Sequence, residues 1–518
     1  MNLLKATGTI GGLTMVSRVL GFARDMIGSR LLGASHANDA FNLAFLLPNI
    51  FRRLFAEGAF SAGFVPLFSR RLASGGLSDA QRFSNEILAV FMPALLLVTA
   101  LFVIFMPGLL LLVAANYQEV PGKFELAVEL TRWTFPYLLF ISLVALLSGV
   151  LNSLTRFAVA AFAPALLNIS LIVALLIAPR DDITIVRYMA AAVLVGGVLQ
   201  FAFCWFAVRR AGVKLHFGRP RLTPAVRELL LLVLPATAAA GVYQISQLFY
   251  GYFSTLLGEG ALTKLSYADR LNQLPLSIIG TALGVAILPA ISQAIERRDE
   301  AAAADVQARA FDLAMLLTLP ATLSLVVAAT PIIGALYQGG EYSVADALET
   351  ANILAILVTG LPAYVLVKVL TPAFYARKDV KTPVYIAIGI LLLSIPANFL
   401  LIPRLGIYSL ATVTSAGAWI NFVLLFTILY ARRQFRMPGW LVGRVARQML
   451  AALAMAAALF GLRELLGDWF FGNALERVIG LALLVGIGGL TYFGVAFLIG
   501  GVDREAIASL RRKRAPVQ

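Results

Sequence analysis

The sequence predicts an all-α, polytopic membrane protein, and three observations support this fold class. The chain of 518 residues is 60% hydrophobic and only 13% charged, with a mean hydropathy of +0.87. A water-soluble domain has roughly a quarter of its residues charged. Apolar stretches of spanning length recur along the whole chain, and the connections between them alternate between arginine-rich and arginine-poor segments.

Fourteen apolar segments approach the ~20 residues that a bilayer requires of a helix. Each is predicted to be α-helical, because a segment surrounded by lipid must satisfy its backbone hydrogen bonds internally. The segments lie near residues 8–32, 38–56, 87–112, 132–154, 158–178, 188–208, 229–256, 270–292, 310–330, 350–376, 383–402, 408–430, 448–462 and 478–500.

The distribution of basic residues predicts the orientation of these spans. If the N-terminus is cytoplasmic, the inward connections and the C-terminal tail hold 29 of the 42 lysines and arginines, and the outward connections hold seven. This asymmetry is the positive-inside pattern, and it places both termini in the cytoplasm. The net charge of +15 is therefore explained mainly by membrane topology and not by nucleic-acid binding.

A weak internal repeat predicts how the spans are grouped. The stretch "LLG" at 31–33 is followed by "PLFS" at 66–69, and "LLG" at 256–258 is followed by "PAIS" at 289–292. Two parallel six-helix lobes are expected, because six spans return the chain to the side where it began. The predicted domains are an N-terminal lobe (1–208), a C-terminal lobe (209–436), an additional helix pair (437–500) and a basic cytoplasmic tail (501–518).

Charged residues interrupt several of the predicted spans. On the first span Arg18 and Asp25 share a face, with Arg24 beside them, and such a stripe should face protein or a water-filled cavity. Asp39 lies in the second span, and the further cations in or at the ends of spans are Arg52, Arg53, Arg270 and Lys368.

Internal ion pairing explains only part of this charge. Arg24 could pair with Asp25 or Asp39, and Arg270 with Asp269, while Arg30 lies near a span end and can reach the headgroups. A positive excess remains after these pairs are made. Because the planar guanidinium fits phosphate or carboxylate in a bidentate manner, the excess predicts an anionic ligand.

Prolines and glycines occur within many spans, for example in "GTALG" at 280–284. Two interpretations stay open: ordinary kinking and small-residue packing, or hinges that let two lobes rock.

The sequence offers little that resembles a catalytic or metal centre. His36 and His216 are distant in sequence, and Cys204 is the only cysteine, so a zinc site and a disulfide are not predicted. No Walker loop is present. Clustered acids or histidines on an outward loop would favour a membrane-embedded glycosyltransferase or polymerase. The acids Glu341, Asp346 and Glu349 instead suggest scattered, solvated loop charges.

Three motifs resemble the MurJ (MviN) family of bacterial lipid II flippases, which belongs to the superfamily of multidrug and polysaccharide exporters. They are "SRVLGFARD" at 17–25, "DAFNLAFLLPNIFRRLFAEGAFSAGFVP" at 39–66 and "SYADRLNQLP" at 266–275. The resemblance implies movement of lipid II, the undecaprenyl-pyrophosphate-linked disaccharide pentapeptide, from the inner to the outer leaflet of the bacterial inner membrane. It also implies alternating access and a groove for the polyprenyl tail at the last two spans.

The resemblance further implies which residues line a cationic cavity that binds the pyrophosphate. They are Arg18, Arg24, Arg52, Arg53 and Arg270, with Asp39 as an acidic partner and Lys368 at a position that the family tends to keep basic. Within the first span, Arg18 and Arg24 are then expected to be functional, and Asp25 and Arg30 structural.

Two departures from the family pattern affect the energy source. Gln273 stands where relatives often have an acid, and "PATAAAGVYQISQLFYGYF" at 235–253 lacks the acid that some members use to bind sodium. No cofactor is expected, and coupling to the membrane potential or to an ion gradient is left open, with the ion unknown. The alternative function is a polysaccharide or multidrug exporter, which would share the architecture but not the arginine-rich first span.

Overall fold

The computed structural model describes residues 3–55, 59–470 and 472–502. Helices account for most of these residues, and within them the only β-type pairing is an isolated bridge between Gly339 and Tyr342. The predicted all-α class is confirmed. Two predicted features lie outside the described residues. They are Glu57, an acid of the motif at 39–66, and residues 503–518, which make up most of the predicted basic tail.

The chain divides into two compact units. The first comprises Met1–Thr263 and Gly339–Tyr342, and the second comprises Lys264–Gln338 and Ser343–Gln518. Each unit has its own apolar core. The division falls inside a helix, Ala261–Pro275.

Nine helices build most of the first unit. They are α1 (Leu3–Leu32), α2 (His36–Phe55), α3 (Ala59–Ile104), α4 (Met106–Ala114), α5 (Lys123–Thr134), α6 (Tyr137–Ser153), α7 (Phe157–Ile177), α8 (Asp182–Arg210) and α9 (Pro224–Thr255). The long α3 is two helical segments separated at Gly76, which has a left-handed φ of 69° that glycine adopts without strain.

Close packing in the first unit depends on small residues where α7 and α6 meet α8. A Cβ added to Gly196 would lie 2.8 Å from Cδ1 of Leu167, and one added to Gly197 would lie 2.8 Å from Cδ2 of Tyr137. Small residues let membrane helices approach closely, so that dispersion contacts replace a hydrophobic driving force that lipid cannot supply. α7 also packs along α1 and thereby supports the charged first helix.

The second unit contains a further ten helices. They are α10 (Ala261–Pro275), whose first turn belongs to the first unit, α11 (Thr281–Glu296), α12 (Glu300–Val327), α13 (Ala329–Tyr337), α14 (Val344–Val358), α15 (Leu361–Ala376), α16 (Lys381–Leu405), α17 (Tyr408–Ala431), α18 (Gly439–Leu465) and α19 (Ala474–Leu498). A π-helical turn, Leu276–Gly280, joins α10 to α11.

Ten helical stretches in the described residues are long and apolar enough to cross a membrane. They correspond to the third to sixth and the ninth to fourteenth predicted spans. The other four predicted spans (8–32, 38–56, 229–256 and 270–292) are helical but fall outside that group. The protein is thus a multi-pass membrane protein, while the count of fourteen spans and the grouping into lobes remain predictions. Notably, α9 packs on α2, α3 and α4 within the first unit.

A buried polar cluster joins α12 to α18 and to the end of α19. Arg444 Nη1 donates to Asp312 Oδ2 at 2.8 Å, and Gln448 Nε2 donates to Asp312 Oδ1 at 2.8 Å and to the Gly501 carbonyl at 3.1 Å. Gln448 is fully buried and Asp312 is 8% exposed. Because the carboxylate of Asp312 and the amide of Gln448 have little access to water, they depend on these protein partners for their hydrogen bonds, while Arg444 is half-buried.

Removal of the Asp312 carboxylate should weaken the attachment of α18 and α19 to α12. Breaking a buried pair from one side leaves an uncompensated charge and costs about 3–5 kcal/mol. We expect Asp312→Ala to lower the thermal unfolding midpoint of detergent-solubilised protein markedly. Asp305→Ala is the matched control, because Asp305 makes an exposed i,i+4 pair with Arg309 on the same helix and should change little. Equal midpoints for the two variants would contradict this role of Asp312.

Candidate functional site

Arg24 lies buried on α1 and is held by two acceptors. Its Nε and Nη2 atoms donate to Asp25 Oδ1 at 2.9 and 2.6 Å, and its Nη1 atom donates to Asn168 Oδ1 at 3.2 Å. The guanidinium also lies 6.0 Å from the ring centroid of Phe45 on α2. Nη1 and Nη2 each carry a second N–H, so Arg24 can still donate to a ligand after these bonds are made.

Asn168 on α7 connects Arg24 to Ser17, about two turns earlier on α1. Its Nδ2 donates to the Ser17 carbonyl at 3.0 Å while its Oδ1 accepts from Arg24. A Cβ added to Gly21 would lie 3.7 Å from Nδ2 of Asn168, an ordinary van der Waals distance, so this amide lies against α1 at position 21. Sequence reasoning missed Asn168. Its only signal was a polar residue in an apolar span, and the helix partner of that span was unknown.

Arg18 lies one turn before Gly21 on α1 and is half-buried. Within the described residues it has no hydrogen-bond or ion-pair partner. Arg53 at the end of α2 is also half-buried and has no such partner among those residues. Its neighbour Arg52 donates from Nε to Asn49 Oδ1 at 3.1 Å. The first unit thus holds two half-buried cations for which the described residues provide no counter-ion.

Asp39 is fully enclosed near the start of α2 and accepts four hydrogen bonds. Lys123 Nζ donates to Oδ2 at 3.2 Å, the Gly260 N–H donates to Oδ2 at 2.9 Å, and Thr263 donates to Oδ1 from its N–H at 3.1 Å and from its hydroxyl at 2.9 Å. The carboxylate therefore caps the first turn of α10, where backbone N–H groups lack helical partners. Asp39 pairs with Lys123 and not with Arg24.

Lys123 is a second residue that sequence reasoning missed. The sequence places it on an outward connection, whereas the structure buries it at the first position of α5, 4.1 Å from the ring centroid of Tyr117. The sequence indicated that such a partner exists, because Asp39 is a carboxylate in an apolar helix and needs a cation or several hydrogen-bond donors. Its partner was not identifiable from one sequence, since 84 residues separate the two.

The remaining predicted site residues belong to the second unit. Arg270 lies exposed on α10, beside Asp269, which accepts a 2.5 Å hydrogen bond from Nε2 of Gln273. Lys368 lies half-buried on α15 and has no hydrogen-bond or ion-pair partner within the described residues.

Two acids interpreted as scattered loop charges converge on one lysine. Lys264 Nζ lies 2.8 Å from Asp346 Oδ1 and 2.7 Å from Glu349 Oε2. Burial opposes the charge on Lys264, but the hydrogen bonds to Asp346 and Glu349 outweigh it, so the pKa of this lysine is raised. That interpretation was wrong for Asp346 and Glu349. Spacing along the chain does not show that a lysine 82 residues earlier lies between them.

The fold and these charges define a class of protein: a multi-pass helical membrane protein with half-buried cations that have no counter-ion in the described part of the chain. The family model described as "Lipid II flippase MurJ" matches residues 29–480. This chain belongs to the MurJ family.

Individual relatives match over nearly the whole chain. A Rhizobium tropici protein described as a probable lipid II flippase MurJ is 41% identical, covering 99% of this chain and 98% of its own. A Burkholderia cenocepacia lipid II flippase MurJ is 35% identical, covering 96% and 98%.

Solved structures agree on the fold. A MurJ structure in an inward closed conformation superposes with a TM-score of 0.77 at 24% identity, over 94% of this chain and 98% of that one. An inward-facing MATE transporter of the MOP superfamily gives a TM-score of 0.68 at 15% identity, over 82% and 97%. The recognition of the family from its motifs is confirmed.

The buried pair of Asp39 and Lys123 should behave as a coupled unit. We expect Asp39→Asn and Lys123→Met each to destabilise the protein, because either change leaves its partner's charge buried without compensation, at a cost of about 3–5 kcal/mol. The double variant should be more stable than the sum of the single effects predicts. Thermal unfolding of the four proteins in detergent measures this coupling, and strictly additive losses would contradict it.

Proposed function

We propose that this protein moves lipid II from the inner to the outer leaflet of the bacterial inner membrane. Membership of the MurJ family along almost the whole chain is the observation that carries the proposal. Both termini lie in the cytoplasm in this proposal, as the distribution of arginine and lysine indicates.

The pyrophosphate is the part of the substrate that the cations would engage. A charged group at bilayer depth costs several kcal/mol, by estimates that vary widely. Arg18 and Arg53 of the first unit supply positive charge that no described acid offsets, and Arg24 keeps N–H groups that its present partners do not use. Arg52, Arg270 and Lys368 are the further proposed contacts.

Asp39 contributes indirectly in this proposal. All of the hydrogen bonds described for its carboxylate come from Lys123, Gly260 and Thr263. Its proposed role is to fix the start of α2, and thereby the helix that ends with Arg52 and Arg53.

The rest of the cycle follows from the chemistry of the substrate. We propose that the head group crosses a cationic cavity by alternating access while the polyprenyl chain stays in lipid, against the α18–α19 pair. A cavity that offers cations both when it is open to the cytoplasm and when it is open to the outside lowers the electrostatic free energy of moving two phosphates through a medium of low dielectric constant. The membrane potential or an ion gradient would supply the energy, and no cofactor is invoked.

The direct test is reconstitution in proteoliposomes with fluorescent lipid II, measuring its arrival in the opposite leaflet. We expect Arg18→Gln, Arg24→Gln and Arg270→Gln to lower the initial rate by more than about tenfold, because each removes a charge-assisted contact to phosphate.

Arg30→Gln is the matched control on the same helix, because Arg30 is exposed at the end of α1. It should retain most of the activity. Equal rates for Arg18→Gln and wild type would contradict the assignment of the site. Export of a polysaccharide or a drug without any lipid II movement would instead support the alternative exporter function.

Asn168 should matter through Arg24. We expect Asn168→Ala to reduce lipid II movement by about tenfold or more, the effect of losing one hydrogen bond to a charged group. Ser170→Ala is the control on α7, because its hydroxyl bonds only to the Leu166 carbonyl of its own helix. The account of Asn168 fails if Asn168→Ala lowers the rate equally in wild-type and Arg24→Gln backgrounds.

A further inference from the structure

The "GTALG" motif at 280–284 acquires a specific contact in the second unit. Gly280 ends the π-helical turn Leu276–Gly280, which directly follows Pro275 and packs against α15. A π-helical turn inside a helix is rare and is often associated with functional sites. The residue of α15 that lies against this turn is Lys368.

The distances show that the stem of Lys368 occupies the space that a side chain at 280 would fill. A Cβ added to Gly280 would lie 2.8 Å from Cδ of Lys368, 3.5 Å from Cε and 3.4 Å from Nζ. The first distance is too short for any real Cβ. Lys368 can therefore adopt its present position only because residue 280 is glycine.

The second glycine of the motif contacts a different part of α15. A Cβ added to Gly284 would lie 3.7 Å from the backbone carbonyl oxygen of Lys368, which is an ordinary van der Waals distance. Position 284 therefore tolerates a methyl group, and position 280 does not without a shift of the lysine side chain. Because Cδ belongs to a flexible side chain, the lysine would move while the helices stayed in place.

From this geometry we propose that Gly280 is a positioning residue for Lys368. The glycine lets the lysine stem lie across the π-helical turn, so the ammonium is held half-buried at one place, ready for an anion. A lysine ammonium acts as a compact point charge toward phosphate. This role rests on the proposed function, in which Lys368 contacts the pyrophosphate of lipid II.

The test compares five proteins in the lipid II proteoliposome assay: wild type, Gly280→Ala, Gly284→Ala, Lys368→Met and the double variant Gly280→Ala/Lys368→Met. Gly280→Ala should raise the apparent KM for lipid II roughly tenfold, as expected for a weakened contact to a charged group. Gly284→Ala should behave as wild type. In the Lys368→Met background, Gly280→Ala should cause no further loss.

A separate measurement reports the position of the lysine without using transport. Acetylation of the Lys368 amine by acetic anhydride, quantified by mass spectrometry, should be severalfold faster in Gly280→Ala than in wild type and unchanged in Gly284→Ala. The thermal unfolding midpoints of both glycine variants should match that of wild type.

The outcomes separate the two proposals. Unchanged acetylation of Lys368 in Gly280→Ala, or equal loss of transport with and without Lys368, overturns the positioning role. Faster acetylation together with full activity of Lys368→Met supports the positioning role and instead overturns the contact between Lys368 and the substrate.

Discussion

The cost of charge inside an apolar helical bundle is the constraint on which the rest of this structure depends. Each ionisable group in these helices needs either a partner in the protein or a ligand that supplies one. Two carboxylates have their partners within the protein: Asp39 is paired with Lys123, and Asp312 bonds to Arg444 and Gln448. Each of these clusters joins different helices through a buried carboxylate.

A second group of charged residues is only partly paired with groups of the protein. Arg24 bonds to Asp25 and Asn168 but keeps N–H groups that these bonds do not use. Arg18, Arg53 and Lys368 are half-buried and have no hydrogen-bond or ion-pair partner within the described residues. The first group serves the fold, whereas Arg18, Arg53 and Lys368 carry positive charge that no described partner offsets. In the proposed function this charge engages an anionic substrate.

The helical architecture could be predicted from the sequence, because hydropathy is a local signal. The helical class and the family are confirmed, and ten of the fourteen predicted spans correspond to helices long and apolar enough to cross a membrane. The pairing of Arg24 with Asp25 was also foreseeable, since the two residues are adjacent. Lys123 and Asn168 were missed because their partners are 84 and 144 residues away. One sequence gives no information on which helices pack together.

The different contacts that glycines make in the spans needed coordinates to see. Gly196 and Gly197 serve helix packing, while Gly280 makes room for a lysine side chain. All three occur in similar apolar surroundings, so sequence alone could not distinguish them.

The central claim is that cations without protein counter-ions serve the pyrophosphate of the substrate. The most direct measurement is the affinity of nanodisc-embedded protein for undecaprenyl pyrophosphate relative to uncharged undecaprenol. The account predicts that wild type binds the pyrophosphate at least about tenfold more tightly. It also predicts that replacing both Arg18 and Lys368 by neutral residues removes most of this preference. Equal affinity of wild type for the two lipids would contradict it.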